Sequence, residues 1–160
     1  MVKVTRTTTE SRMVVTVSEP PVKKNYREKI VTPIAFLSHM IEHIVWRSGL
    51  NVQTEVELGD FYLTHVVCED LGITMGKAVR QYLENSMAQG VYGFGDGIGI
   101  IDEARALAAV SFESRAYFDF DYTFLPDSTE GMLSEDLSTF LEGFVQGAQC
   151  TQHIELKKGV

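Results

Sequence analysis

The order of strand-like and helix-like segments constrains the fold of this chain more than any other feature of its sequence. Two segments rich in Val and Thr open the chain, and a helical segment, an alternating strand and a second helical segment follow, up to about residue 88. From about residue 89 the same plan begins again and stops after its last strand. We therefore predict one α+β domain of two similar half-domains, about 1–88 and 89–160, with the second half truncated.

Apolar residues that recur at helical spacing predict three helices. Before the first, Thr32 suits the N-cap and Pro33 suits the first turn. Inside the second, Gly72 is expected to weaken the helix by about 1 kcal/mol relative to Ala. The predicted helices span about residues 33–47, 64–85 and 134–149.

Alternation of apolar and polar residues predicts the strands, most clearly at 51–58. There Val52, Thr54, Val56 and Leu58 are expected on one side, and Asn51, Gln53, Glu55 and Glu57 on the other. The Gly-rich stretch 90–99 favours bulged strands and turns over a phosphate-binding loop, since no Lys follows it and no helix begins there. The other predicted strands are 1–9, 11–18, 29–31, 103–112, 116–124 and 152–157.

The charge balance narrows the classes of partner. With 14 Lys and Arg against 22 Asp and Glu, the net charge of −8 is spread along the chain and argues against binding to nucleic acid or to an anionic membrane. The sequence contains no apolar run long enough to cross a membrane. Cys68 and Cys150 lie in no paired motif, so we expect free thiols and a cytoplasmic protein.

The four histidines are the candidate metal ligands. His39 and His43, and likewise His65 and Glu69, are four residues apart on predicted helices, so each pair shares one helix face; His153 lies on the last predicted strand. Imidazole and carboxylate together suit zinc, manganese or iron. The pattern His39-x-x-Glu-His43 also matches that of inverted zinc peptidases, but it is short enough to arise by chance.

Six short motifs occur in order along the chain, at 6–11, 34–40, 65–72, 101–104, 114–117 and 152–154. In that order they resemble the motifs of imidazoleglycerol-phosphate dehydratase, a carbon–oxygen lyase of histidine biosynthesis. The resemblance implies half-domains that each carry a four-stranded sheet backed by helices. It also implies bound manganese and a trimer-based homo-oligomer with active sites between subunits.

The resemblance also assigns roles to individual residues. His65, Glu69 and His153 match three ligands of one metal site. His39 matches a ligand of the other site, where His43 lies one turn away as a replacement. The remaining matched positions are the substrate-binding Arg115, expected to contact phosphate, and the catalytic carboxylates Glu10 and Glu69.

The departures from the family pattern change the expected activity. Val66 stands where the family has a second histidine, and Gly93 stands where it has a phosphate-binding arginine. We therefore expect one divalent ion, and reduced, altered or lost lyase activity on a small phosphorylated or imidazole-bearing molecule. The alternatives are a non-catalytic structural or binding subunit, and a chain whose metal site needs a partner for completion.

Overall fold

Two main β-sheets and three α-helices organise residues 1–158, the part of the chain that the computed structural model describes. The strands are β1 (Val2–Thr7), β2 (Ser11–Ser18), β3 (Asn51–Leu58), β4 (Phe94–Ile101), β5 (Ala104–Ser111), β6 (Tyr117–Asp121), β7 (Ser128–Thr129), β8 (Met132–Leu133) and β9 (Thr151–Lys158). The helices are α1 (Ala35–Ser48), α2 (Thr64–Ser86) and α3 (Ser134–Ala148). This arrangement confirms the predicted α+β class of sheets backed by helices.

The first sheet is antiparallel and has three strands in the order β1-β2-β3. The expectation of a four-stranded sheet in the first half is therefore wrong. The segment predicted as a strand at 29–31 follows a 3₁₀ turn, Tyr26–Lys29. The backbone N–H of Val31 donates to Oγ1 of Thr54 at 3.0 Å, and its carbonyl accepts from the same hydroxyl at 3.1 Å. Because these groups bond to a side chain of β3 rather than to its backbone, no ladder extends the sheet.

The second sheet has the order β4-β5-β9-β6 and is mixed. β5 pairs antiparallel with both β4 and β9, whereas β6 pairs parallel with β9 because α3 connects them as a crossover. In the parallel pair Asp119 lies opposite His153. Neighbours in register point to the same face of a sheet, so this pairing decides what surrounds that histidine.

Helices α2 and α3 approach each other closely through glycines. A Cβ at Gly72 or Gly76 would overlap the backbone of α3, at Phe140 and Phe144 respectively. On the opposing helix, a Cβ at Gly143 would lie 2.8 Å from the Glu69 carbonyl oxygen. Gly72 therefore allows the close contact between the two helices. The sequence alone indicated only that this glycine weakens its helix.

Several element boundaries and exposures differ from expectation. α1 begins at Ala35, and no side chain caps it; Oγ1 of Thr32 instead accepts from the Ile34 N–H in the preceding turn. β6 ends at Asp121, and the aromatic side chains beyond it, Tyr122 and Phe124, are exposed. In the described residues, no helix has the length and apolar character to cross a membrane.

One core holds the first sheet and the helices together. Residues from β2, α1 and α2 form it, and α3 contributes Phe140. A smaller cluster of Val145, Ala148 and Cys150 lies where α3 packs on the second sheet. Both cysteines are free, as predicted, and both are buried.

Candidate metal and substrate site

His153 lies in β9 with a carboxylate beside it. Its Nδ1 is 3.2 Å from Oδ2 of Asp119 on β6, and both side chains are about half exposed. The register of the parallel pair holds the two residues opposite each other. A carboxylate that accepts from the Nδ1–H of a histidine is the usual outer partner of a metal-binding imidazole.

Arg115 and His153 lie close to the same aromatic ring. The Arg115 guanidinium carbon lies 5.9 Å from the centroid of the Tyr117 ring, and the His153 ring centroid lies 5.5 Å from it. The carbonyl of Arg115 accepts from Oγ1 of Thr151, which ties the start of β6 to β9. A fixed positive charge and a candidate metal ligand thus lie near the starts of the neighbouring strands β6 and β9.

His65 and Glu69 occupy the first turns of α2. Nε2 of His65 is 3.8 Å from Oε2 of Glu69, and both side chains are substantially exposed. An imidazole nitrogen and a carboxylate oxygen bound to one divalent ion lie about 3–3.5 Å apart. The pair therefore requires only a small side-chain rotation to meet one ion.

Behind this pair, Asp70 anchors α2 to the first sheet. Its carboxylate accepts from Nε of Arg6 at 2.6 Å and from Oγ of Ser11 at 2.5 Å. The Asp70 side chain is only 6% exposed, so these donors replace its lost hydration. The exposed Glu69 and the buried Asp70 are neighbours in sequence with different surroundings.

Glu10 belongs to the turn between β1 and β2. The Glu10 carbonyl accepts from the Gly59 N–H at 2.8 Å, and the Glu10 N–H donates to Oγ1 of Thr8 at 3.2 Å. Both bonds fix the backbone and leave the Glu10 side chain exposed. Because Ser11 follows Glu10 and Asp70 follows Glu69, the Ser11–Asp70 bond links the two segments that carry the expected catalytic carboxylates.

His39 and His43 are adjacent on α1. Their Nε2 atoms are 3.2 Å apart, a spacing that fits two nitrogens on one divalent ion, which lie about 2.9–3.4 Å apart. Nη1 of Arg47 donates to Nδ1 of His43 at 2.7 Å. Desolvation lowers the pKa of His43, and His39 and Arg47 lower it further.

The candidate ligands remain on separate elements. Among residues 1–158, no three His, Cys, Asp or Glu side chains gather where they could hold one ion. His65 and Glu69 are on α2, whereas His153 is on β9. The donor types fit a divalent transition metal, but the described residues supply at most two ligands in any one place.

Two residues near the candidate ligands, Asp119 and Asp70, have roles that the sequence patterns do not indicate. The sequence around Asp119 indicates only a strand. The parallel pairing of β6 with β9, which the sequence does not show, places Asp119 beside His153. A strand–helix–strand order is a signal for a parallel pair, although it does not supply the register. Asp70 lies within the motif 65–72, which does not indicate that it is buried. Its burial depends on hydrogen bonds from Arg6 and Ser11, which are distant in sequence.

Comparison with known proteins identifies the family that this chain resembles. Residues 32–160 match the family model described as imidazoleglycerol-phosphate dehydratase. The dehydratase of Zygosaccharomyces bailii is 34% identical over 131 residues, covering 81% of this chain and 57% of the relative. That of Saccharomyces cerevisiae is 31% identical over 129 residues, covering 80% of this chain and 57% of the relative.

Two solved dehydratase structures have the same fold as this chain. The crystal structure of the Pyrococcus furiosus enzyme matches with a TM-score of 0.81 and 28% identity, over 97% of this chain and 80% of that chain. The Staphylococcus aureus enzyme has the same fold, with a TM-score of 0.74 at 23% identity, over 100% of this chain and 86% of that chain. This chain spans 57% of the length of the first curated relatives. It belongs to the imidazoleglycerol-phosphate dehydratase family.

Proposed function

We propose that this protein is a carbon–oxygen lyase of reduced or altered activity that acts on a small phosphorylated, imidazole-bearing molecule. It binds one divalent transition metal, manganese by family resemblance, with zinc and iron as the alternatives, through His65, Glu69 and His153. The observation that carries the proposal is that Arg115 and His153 both lie within 6 Å of the centre of the Tyr117 ring, at 5.9 Å and 5.5 Å. A phosphate-binding cation beside a metal ligand is the arrangement that this chemistry requires.

The metal site forms between copies of the chain. The described residues of one chain hold at most two ligands together, so a second copy has to supply the rest. The face of the second sheet that carries His153 supports this proposal, since its strand register also places Ile98 and Ile100 there. These side chains are 70% and 75% exposed, and apolar residues of this kind are typical of a surface that a partner buries. A homo-oligomer, trimer-based by resemblance, follows.

The roles of the side chains follow from their charges and surroundings. The metal, when bound, supplies Lewis-acid polarisation of the substrate. His65, Glu69 and His153 hold that ion, and the Arg115 guanidinium orients the phosphate group of the substrate. Glu10 is an exposed carboxylate on a backbone-fixed turn, which suits a proton acceptor from a substrate carbon or a donor to the leaving hydroxyl.

Metal analysis and an activity assay test this function together. Protein purified without chelator is expected to carry close to one equivalent of transition metal per chain, measured by inductively coupled plasma mass spectrometry. Imidazoleglycerol phosphate is expected to be dehydrated at a measurable rate. His153→Ala and His65→Ala should lower both the metal content and the rate. Metal-free wild-type protein that gains no activity with added manganese, zinc or iron would sink the proposal.

His43 provides the matched control for this experiment. His43→Ala removes a histidine from α1 and leaves the proposed ligands on α2 and β9 intact. It is expected to keep the wild-type metal content and rate. Loss of the metal in His43→Ala alone would move the site to the His39–His43 pair, where the nitrogen spacing fits an ion as well.

One observation favours a second candidate, a chain that needs a different partner to complete its site. Gly95, Gly97 and Gly99 of β4 share one sheet face, opposite to that of His153, and a Cβ at any of them would meet no atom within 4 Å. The β4 part of this face, beside the area that α3 covers, has room for a partner helix. Co-expression with a partner that restores metal binding to an otherwise inactive chain would favour this candidate. An inactive, metal-free chain that no partner changes would indicate a non-catalytic structural or binding subunit.

A further inference from the structure

We propose that Asp119 is a positioning residue that holds His153 in the tautomer suited to metal binding, whereas Arg47 holds His43 in the opposite tautomer. The two neighbours thereby direct a divalent ion to His153 and away from the His39–His43 pair. The metal part of this inference rests on the proposed function. The tautomer part concerns the metal-free protein and stands on the hydrogen bonds alone.

The argument for His153 begins with its carboxylate neighbour. An ionised carboxylate has no hydrogen to donate, so a bond between Oδ2 of Asp119 and Nδ1 of His153, 3.2 Å apart, requires the proton on Nδ1. In the neutral ring, Nε2 then carries the free lone pair that a metal needs. Asp119 therefore prepares His153 to be a ligand through Nε2.

The sheet keeps this arrangement in place. Asp119 and His153 are register partners in the parallel pair of β6 and β9, so backbone hydrogen bonds fix their separation. The Tyr117 ring packs near the His153 ring, with the two centroids 5.5 Å apart. Rotation of His153 away from the carboxylate would break the bond and lose this packing.

At His43 the neighbour has the opposite chemistry. The Arg47 guanidinium only donates, so Nδ1 of His43, 2.7 Å from Nη1, has to be the acceptor. The proton of the neutral His43 ring is then on Nε2, the atom that faces Nε2 of His39 at 3.2 Å. Both nitrogens between the rings are thus occupied by one hydrogen bond. An ion can enter only if Arg47 leaves and the proton moves.

Nitrogen-15 NMR of the metal-free, full-length protein tests the tautomers directly. Long-range proton–nitrogen correlations at about pH 8 should show the proton of His153 on Nδ1 and that of His43 on Nε2. Asp119→Ala should shift His153 towards the Nε2–H form, and Asp119→Asn should preserve the Nδ1–H form because its amide oxygen still accepts. A wild-type His153 protonated on Nε2, or one unchanged by Asp119→Ala, would overturn the proposal.

Calorimetric titration with zinc chloride supplies the second readout. Asp119→Ala is expected to weaken zinc binding by about 10–100-fold, with Asp119→Asn close to wild type. Arg47→Ala should keep the first binding event and add a second, weaker one at His39 and His43.

Equal zinc affinity in wild type and Asp119→Ala would contradict the role of Asp119. A wild-type protein that binds no metal defeats the proposed function, while the NMR result still decides the tautomers. The Asp119 side chain is 60% exposed, so its replacement leaves the core intact.

Discussion

At the scale of single residues, neighbours in sequence have roles that their surroundings decide. Glu69 is exposed and faces His65, whereas Asp70, the next residue, is buried and bound to Arg6 and Ser11. The first suits a ligand, because its oxygens remain open to solvent. The second suits an anchor, because its oxygens are already occupied by donors from the first sheet.

The anchor makes a prediction about stability. Asp70→Asn removes the charge that Arg6 and Ser11 stabilise and leaves Arg6 without its partner, so the free energy of unfolding should fall by about 1.5–3 kcal/mol. Urea denaturation measures this change. Glu69→Gln, one residue earlier and exposed, is the control and should change stability by less than about 0.5 kcal/mol. Equal losses in the two variants would show that the Asp70 network does not stabilise the fold.

The two cysteines give a prediction about reactivity. Burial raises the pKa of Cys68 to about 12 and that of Cys150 to about 11. The reactive thiolate is therefore scarce near pH 8, and iodoacetamide should modify the folded protein far more slowly than the urea-unfolded chain. Mass spectrometry of the alkylated protein measures both rates. Rapid alkylation of either cysteine in the folded protein would contradict the burial.

The same pKa values predict how stability changes with pH. An unfolded thiol loses its proton near the ordinary value of 9.0, whereas the folded thiols keep theirs until pH about 11 or 12. Between these values the folded state binds more protons than the unfolded state, so the cysteines make the free energy of unfolding fall as the pH rises. Urea denaturation at pH 8 and pH 10 should show a smaller decrease in Cys68→Ala than in wild type. An equal decrease would contradict the assignment to Cys68.

At the scale of elements, glycines allow α2 and α3 to pack with their backbones close together. Gly72 and Gly76 face α3, and Gly143 and Gly147 face α2. This contact sets the position of both helices, and it therefore sets where His65 on α2 and the crossover to β9 lie. A glycine usually costs a helix about 1 kcal/mol relative to Ala, and here close packing outweighs that cost.

The packing predicts a reversal of the usual effect of a glycine replacement. Gly76→Ala and Gly147→Ala would place a methyl group into the opposing backbone, so each should lower the melting temperature, with a loss of about 1–3 kcal/mol. Gly97→Ala in β4, where a Cβ meets open space, is the control and should leave stability nearly unchanged. Thermal unfolding followed by circular dichroism compares the three variants. An increase in stability in Gly76→Ala would refute close helix packing.

At the scale of the whole molecule, exposed apolar side chains lie on the sheet face that carries His153, along the edge strand β4. Phe94, Ile98 and Ile100 of β4 share that sheet face, and their register partners on β5 lead across to β9. A patch of this kind is typical of a protein–protein interface. Completion of a metal site by a second copy and burial of the patch would then be the same event.

The patch predicts a change in assembly. Ile98→Lys should convert an oligomer into a smaller species, because the interface would have to bury a charge without a partner. Size-exclusion chromatography with light scattering measures the mass of each variant. Val31→Lys, a matched change at an exposed apolar residue in the segment before α1, should leave the mass unchanged. A monomeric wild-type protein at tens of micromolar would contradict an interface at this face.

The sequence by itself determined the local features of this protein. Helical and alternating patterns extend over neighbouring residues, so they predicted all three helices and the strand at 51–58. The ordered motifs predicted the family, which the comparisons confirmed. The division into half-domains at about residue 88 and the roles of Glu10, Glu69, Arg115 and the histidines stay predictions.

The tertiary structure decided which residues far apart in sequence meet. Asn51 was expected on the polar side of its strand, yet it is buried because its side-chain amide bonds to the backbone of Glu19, Pro21 and Lys23. Strand register set Asp119 beside His153, and close packing turned Gly72 from a weak point into a contact. Such partners are chosen by the free energy of the whole fold, since no periodicity within one segment records what another segment will place against it.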